Sequence, residues 1–184
     1  MAAGGKTVGR FVAAALLAAA VPVRAENLLH QALGAPDNLI ITGLFRSRFE
    51  AIEGQFRPEP IAASGAMVSL RFVLFAEYDT GPVRIGAEFN DARAYLEGDR
   101  SPVSNAEVNT FNLAQAYLGF DLGNALGDGT TTTVTAGRTT IDFGSRRLLA
   151  RNVFRNTVST FTGVRLDWRG SGGDTAMLLW TPCR

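Results

Sequence analysis

Arginine is the residue with most chemistry to offer in this chain, and it recurs at alternate positions of extended stretches. Arg46 and Arg48 share a parity with Glu50, Arg71 with Glu77, and Arg84 with Glu88. A guanidinium is planar, permanently charged and shaped to bind a carboxylate bidentately. Rings of such groups are how pores select anions. Arg138 and Arg165 stand in later stretches of the same texture, and Arg147, Arg151 and Arg155 in a long connection that could fold inward. These nine arginines are the candidate substrate-binding residues. Each strand arginine could equally close an internal salt bridge with Glu50, Glu77, Glu88, Asp91, Asp142 or Asp167. Around Arg146, Arg147, Arg151 and Arg155 the one nearby carboxylate is Asp142, so a net positive patch is expected there.

Other chemistries find less to work with. The single histidine, His30, precedes the first extended stretch, so a Ser-His or Asp-His pair has no histidine on a wall or loop. One cysteine, Cys183, gives no disulfide framework, and with one histidine it excludes Cys/His zinc sites. EF-hand spacing is absent. The stretch Gly123–Gly129 lacks the Lys-Ser/Thr ending of a phosphate loop and reads as a turn. A carboxylate pair for glycoside cleavage is decided by separation in space, and nothing in the spacing points to one. No catalytic residue, metal or cofactor is expected. A net charge of +1 carries no signal for nucleic acid.

The elements that must position the arginines follow from period two. Phe45, Ser47, Phe49 and Ala51 share one parity while Arg46, Arg48 and Glu50 share the other. Val68, Leu70, Phe72, Leu74, Ala76 and Tyr78 oppose Ser69, Arg71, Glu77 and Asp79. After the turn Asp79–Pro82, Val83, Ile85, Ala87 and Phe89 alternate with Arg84, Gly86, Glu88 and Asn90, which predicts a β-hairpin. Weaker strands are expected over 110–121, 131–143 (with Arg138 on its polar parity), 161–169 and from 175. Residues 26–35 predict a short helix stopped at Gly34.

Ahead of all this, Lys6 and Arg10 precede an apolar run from Phe11 to Val23, and Val23-Arg24-Ala25 offers a cleavage site. That is the pattern of a secretory signal peptide over 1–25. The run is too short to span a bilayer core, which needs roughly 20 residues. Residues 26–38 then form an N-terminal periplasmic segment, and 39–184 the β-domain.

Two architectures give strands with one apolar and one polar face: a soluble sandwich and a membrane barrel. Three features favour the barrel. The polar face carries ionic rows suited to pairing across an inner wall. The apolar runs are near the roughly 9–11 residues that cross a hydrocarbon core at a tilt. Tyr78, Tyr117 and Trp168 lie towards strand ends, where aromatic girdles sit. Connections also alternate long and short, as in barrels with short periplasmic turns. The order of preference is an outer-membrane pore, then a soluble periplasmic β-domain that binds carbohydrate, then an outer-membrane enzyme.

The stretch Gly137–Leu166 adds a resemblance. Gly137, Arg138, Phe143, Gly144, Arg147, Leu148, Asn156, Phe161, Gly163, Val164 and Arg165 match the core motif of the alginate-export family of outer-membrane proteins. Upstream, Gly81–Arg84 with Asp91–Arg93, and Gln115–Leu118, resemble that family's second hairpin and next strand. The resemblance covers roughly 39–168. Phe154, Thr162 and Ala150 stand where the family often has Trp, Asp and Gly, which puts one stacking contact and one hydrogen bond in question.

The resemblance implies an antiparallel transmembrane β-barrel of outer-membrane type. It implies a conduit, in the outer membrane of a Gram-negative bacterium, for anionic polysaccharide or small anionic solutes. The barrel assembly machinery and outer-membrane lipid are the implied partners. It also implies more strands than the seven read here, so the barrel is expected to be incomplete. The chain is then expected to be a truncated product or partial sequence, with the function belonging to the full-length protein.

Overall fold

The computed structural model describes residues 26–54, 56, 59, 61, 64–95, 98, 106–147 and 149–182. The expected signal peptide, Leu148 and Cys183 lie outside these residues. Alternation resolves into seven strands: β1 (Leu39–Ile52), β2 (Gly65–Asp79), β3 (Val83–Tyr95), β4 (Asn109–Gly123), β5 (Thr131–Thr139), β6 (Phe161–Arg169) and β7 (Thr175–Trp180). They form one antiparallel sheet in sequence order, each paired with its neighbours in the chain. The fold is all-β, an open arc of an outer-membrane-type barrel. A helix, α1 (Glu26–Ala32), precedes it, and Gly34 follows with φ +58°, as expected of a helix stop.

Strands β1 to β4 run 13–15 residues, longer than the alternating runs alone suggested. The connections 53–64, 96–108 and 140–160 leave one end of the sheet, and the shorter 80–82, 124–130 and 170–174 leave the other. The first short turn is built as its residues require. Thr80 N–H donates to Val83 O at 2.9 Å, and Gly81, at φ +94°, donates its N–H to Asp79 Oδ1 at 2.7 Å.

Register decides what each face carries. Phe45 stands opposite Phe72, Leu74 opposite Phe89, Ile85 opposite Leu118 and Val134 opposite Leu166. That apolar face is open: Phe45 is 69 %, Phe49 65 % and Ile85 52 % exposed. A soluble sandwich buries such a face against a second sheet, and among the described residues no second sheet covers it. An apolar surface several strands wide suits lipid. Leu29 of α1 packs towards Gly43 of β1 on this side.

Two places depart from simple alternation. Between β3 and β4 the register shifts at Glu88/Phe89 and again at Asn90/Ala92. The bulge at Ala114 reverses the parity, so Leu113 pairs with Phe89 and Asn112 with Asn90. Phe111 takes φ +51° at the second shift and packs its ring 5.4 Å from that of Phe89. Sequence parity cannot show a bulge, because the inserted residue carries no mark of its own. The second departure is Tyr117, placed in a girdle by sequence. It faces inward, and its ring lies over Gly86, its partner across the strand pair.

Candidate functional site

The inner face is the polar one, and its arginines do not pair across strands as their rows suggested. Arg46 stands in register with Arg71, a like-charged pair that would repel if nothing intervened. What intervenes is the connection 140–160, which folds back over the upper half of this face; we call it the strap.

Backbone carbonyls of the strap serve as acceptors for the wall. Arg46 Nη1 donates to Val153 O at 2.7 Å, and its Nη2 to Arg155 O at 2.9 Å. Arg48 Nη1 donates to Phe154 O at 2.6 Å, and its guanidinium stacks 4.6 Å from the Phe154 ring centre. Phe154 thus stacks on the wall through Arg48. Arg48 Nε also stands 2.8 Å from Glu50 Oε1, close enough for Coulombic pairing though not aligned as a hydrogen bond.

Charge from the strap meets charge from the wall at one point. Arg151 grips Glu88 bidentately, with both Nη–Oε distances 2.6 Å. Gln115 Nε2 donates to the same carboxylate at 2.8 Å, and Gln115 Oε1 accepts from Thr140 N–H at 3.1 Å. Glu88 is only 3 % exposed. At the strap's root, Asp142 accepts from the backbone N–H of Arg151 at 2.7 Å and from Arg146 Nη2 at 2.7 Å. These bonds, the backbone one foremost, hold the Asp142 carboxyl below its ordinary range.

The strap is pinned by a residue that only the family motif had singled out. Asn156 is fully buried. Its Nδ2 donates to Leu70 O (2.8 Å), Glu107 O (2.8 Å) and Arg93 O (3.2 Å), and its Oδ1 accepts from Arg46 at 3.3 Å. One amide thus ties the strap to β1, β2, β3 and the β3–β4 connection. Asn was the right type to look for, since an amide offers donors and an acceptor together. Nothing in its spacing says which carbonyls it meets.

The remaining candidates scatter. Arg84 lies across Gly119 near the short-turn end. Arg165 pairs with Asp167 on its own strand at 2.7 Å. Arg138 is in register with Ala116 and Thr162, on the parity of Val134 and Ala136 and not the polar one expected. Its guanidinium reaches Thr160 Oγ1 at 3.0 Å and Asn112 Oδ1 at 3.3 Å. Arg147 and Arg155 are exposed on the strap, and among the described residues no acceptor meets their guanidiniums. Of the nine arginines, Arg46, Arg48, Arg71, Arg151 and Arg155 are brought together at the strap.

The comparisons with known proteins agree with this architecture. The profile of one family, described as alginate export, matches residues 38–181, which takes in all seven strands and the strap. The searches of curated proteins and of solved structures returned no match. The chain belongs to the alginate-export family, a family of outer-membrane transport proteins and not of enzymes.

Proposed function

We propose that this chain forms one side of an outer-membrane pore for anionic polysaccharide of the polyuronate kind, or for small anionic solutes, working by selective diffusion. The observation that carries the reading is the pairing of faces. An open apolar face meets lipid, while the opposite face collects Arg46, Arg48, Arg71 and Arg151 beneath an inward-folded strap and leaves Arg147 and Arg155 exposed on it. Polyuronates carry a carboxylate on each sugar, and guanidiniums fixed along a wall attract such a chain without any bond being made or broken. Lipid tolerates no open sheet edge. The pore therefore closes with strands beyond β1 and β7, and the barrel assembly machinery is the partner that would insert it after removal of residues 1–25.

The test is electrical. The chain is expressed with its leader and together with the strands that close its barrel, recovered from the outer membrane and reconstituted in a planar bilayer under a KCl gradient. The expected outcome is conductance with an anion-selective reversal potential, blocked by oligouronates and not by neutral oligosaccharides. Recovery in the soluble periplasm, with no conductance, would favour a carbohydrate-binding β-domain and overturn the pore.

A further inference from the structure

The apolar face carries one interruption. On the parity that β1 to β4 turn towards lipid, Asp91 and Arg93 of β3 are the only charged residues among those described. Below them Val83, Ile85, Ala87 and Phe89 keep the face apolar, and above them stands Tyr95. On the outer wall of a barrel a charge is costly at mid-membrane, and the cost falls to near nothing at the interfaces. Roughly 9–11 residues cross the hydrocarbon core at a tilt, so the 13 residues of β3 outrun it. Counted up from Val83 beside the short turn, Arg93 and Tyr95 fall at the upper boundary, by the long connections.

Local geometry presents the cation and withdraws the carboxylate. Asp91 accepts from Arg93 Nε at 2.9 Å and from the backbone N–H of Phe111 at 3.4 Å. The Arg93 side chain stays 41 % exposed against 19 % for Asp91. What the surroundings meet is therefore chiefly the guanidinium. It lies 5.7 Å from the centre of the Phe111 ring, which is itself exposed. Exposed Tyr95 and Phe111 are aromatics of the kind that settle where acyl chains give way to headgroups.

We propose that Arg93, steadied by Asp91 and flanked by Tyr95 and Phe111, is a binding site on the outside of the wall for the phosphate of an outer-leaflet lipid. The inference rests on the barrel reading, which turns the long connections outward. The outer leaflet of such a membrane is built largely of phosphorylated glycolipid, and a guanidinium fork binds phosphate with two parallel bonds. The charge has the right sign, sits at headgroup depth and faces away from the inner wall. The site therefore holds lipid and not transported solute.

The protein, expressed with its leader and with the strands that close its barrel, is extracted from the outer membrane and stripped of lipid in detergent. It is then titrated with lipid A, the glycolipid anchor of lipopolysaccharide, either bisphosphorylated or enzymatically dephosphorylated, and binding is read by native mass spectrometry. The phosphorylated form is expected to bind saturably and about tenfold more tightly, the scale of a lost charge-assisted hydrogen bond. Arg93→Gln should bring it down to the level of the dephosphorylated form. Exposed Arg169, on the inner parity of β6 at the short-turn end, should be replaceable by Gln with no change. Inorganic phosphate should not displace the lipid, because the acyl chains supply part of the hold. Comparing the two lipids needs no variant, so the idea stays testable even where Arg93→Gln fails to assemble. Equal binding of the two lipids, an Arg93→Gln protein that still tells them apart, or displacement by inorganic phosphate overturns the site. Any of these in protein taken from the outer membrane leaves the barrel reading standing, whereas recovery in the soluble periplasm overturns both.

Discussion

The two halves of the inner face are held together by different means. At the long-loop end, wall and strap are joined over large sequence separations: Arg46 to Val153 and Arg155, Arg48 to Phe154, Glu88 to Arg151, and Asn156 to three carbonyls. At the short-turn end the contacts run between or along the strands themselves. Tyr117 covers Gly86 and donates to Glu77, and Arg165 pairs with Asp167 two residues away. The upper half is therefore a polar interface between a sheet and a folded loop, while the lower half is a barrel wall bracing itself. The comparison teaches that arginines of identical parity do different work according to what folds over them.

Removing the pin should separate the halves most sharply. Asn156→Leu deletes every bond of that buried amide and leaves carbonyls at Leu70, Glu107 and Arg93 without it. Leaving buried acceptors unmet costs about 1–3 kcal/mol each in the worst case, so a loss of about 3 kcal/mol is expected in urea unfolding in micelles. Proteolysis should then cut within the strap and spare the lower wall. Cleavage appearing equally in both halves would show that the strap is not a separable layer.

The lower half breaks at Gly86. A Cβ placed there would overlap the Tyr117 ring, so Gly86→Val must push the ring away and undo its bond to Glu77. Overpacking of this sort costs typically about 1–3 kcal/mol. The mark of this mechanism is coupling: in a Tyr117→Ala background the same substitution should cost little. If the cost persists in that background, the ring is not what Gly86 accommodates.

How much of this was legible beforehand differs between the halves for a physical reason. Strand parity follows from the backbone, so the apolar face and the inward direction of Arg46, Arg71 and Glu88 could be read from spacing alone. The bulge at Ala114 could not, because it depends on where β4 shifts register against β3. The strap lay further out of reach. Its positive composition was visible, but each of its bonds joins residues far apart in sequence. Asn156 shows the limit, since the family motif marked it and its partners Leu70, Arg93 and Glu107 carry no signal at all.

The smallest expected effect probes the strap's root. The Asp142 carboxyl is held below its ordinary value first by the backbone N–H of Arg151 and then by Arg146. A carboxyl whose folded value is depressed contributes stability above its unfolded value and loses it as pH falls through the folded one. The strap should thus keep its grip from neutral pH down to about 4, near the unfolded carboxylate value, and loosen below that. The change expected is loss of the caps that Val153 O and Arg155 O place on Arg46. Loosening should also expose the strap backbone, so amide exchange at Arg151 should rise over the same interval. The Arg151–Glu88 pair is present in any version of the chain, so the informative quantity is the difference from Asp142→Asn. That variant should exchange the Arg151 amide faster at neutral pH and change less on acidification. Identical pH profiles for the two would mean that the strap is rooted by Arg151–Glu88 and Asn156 alone.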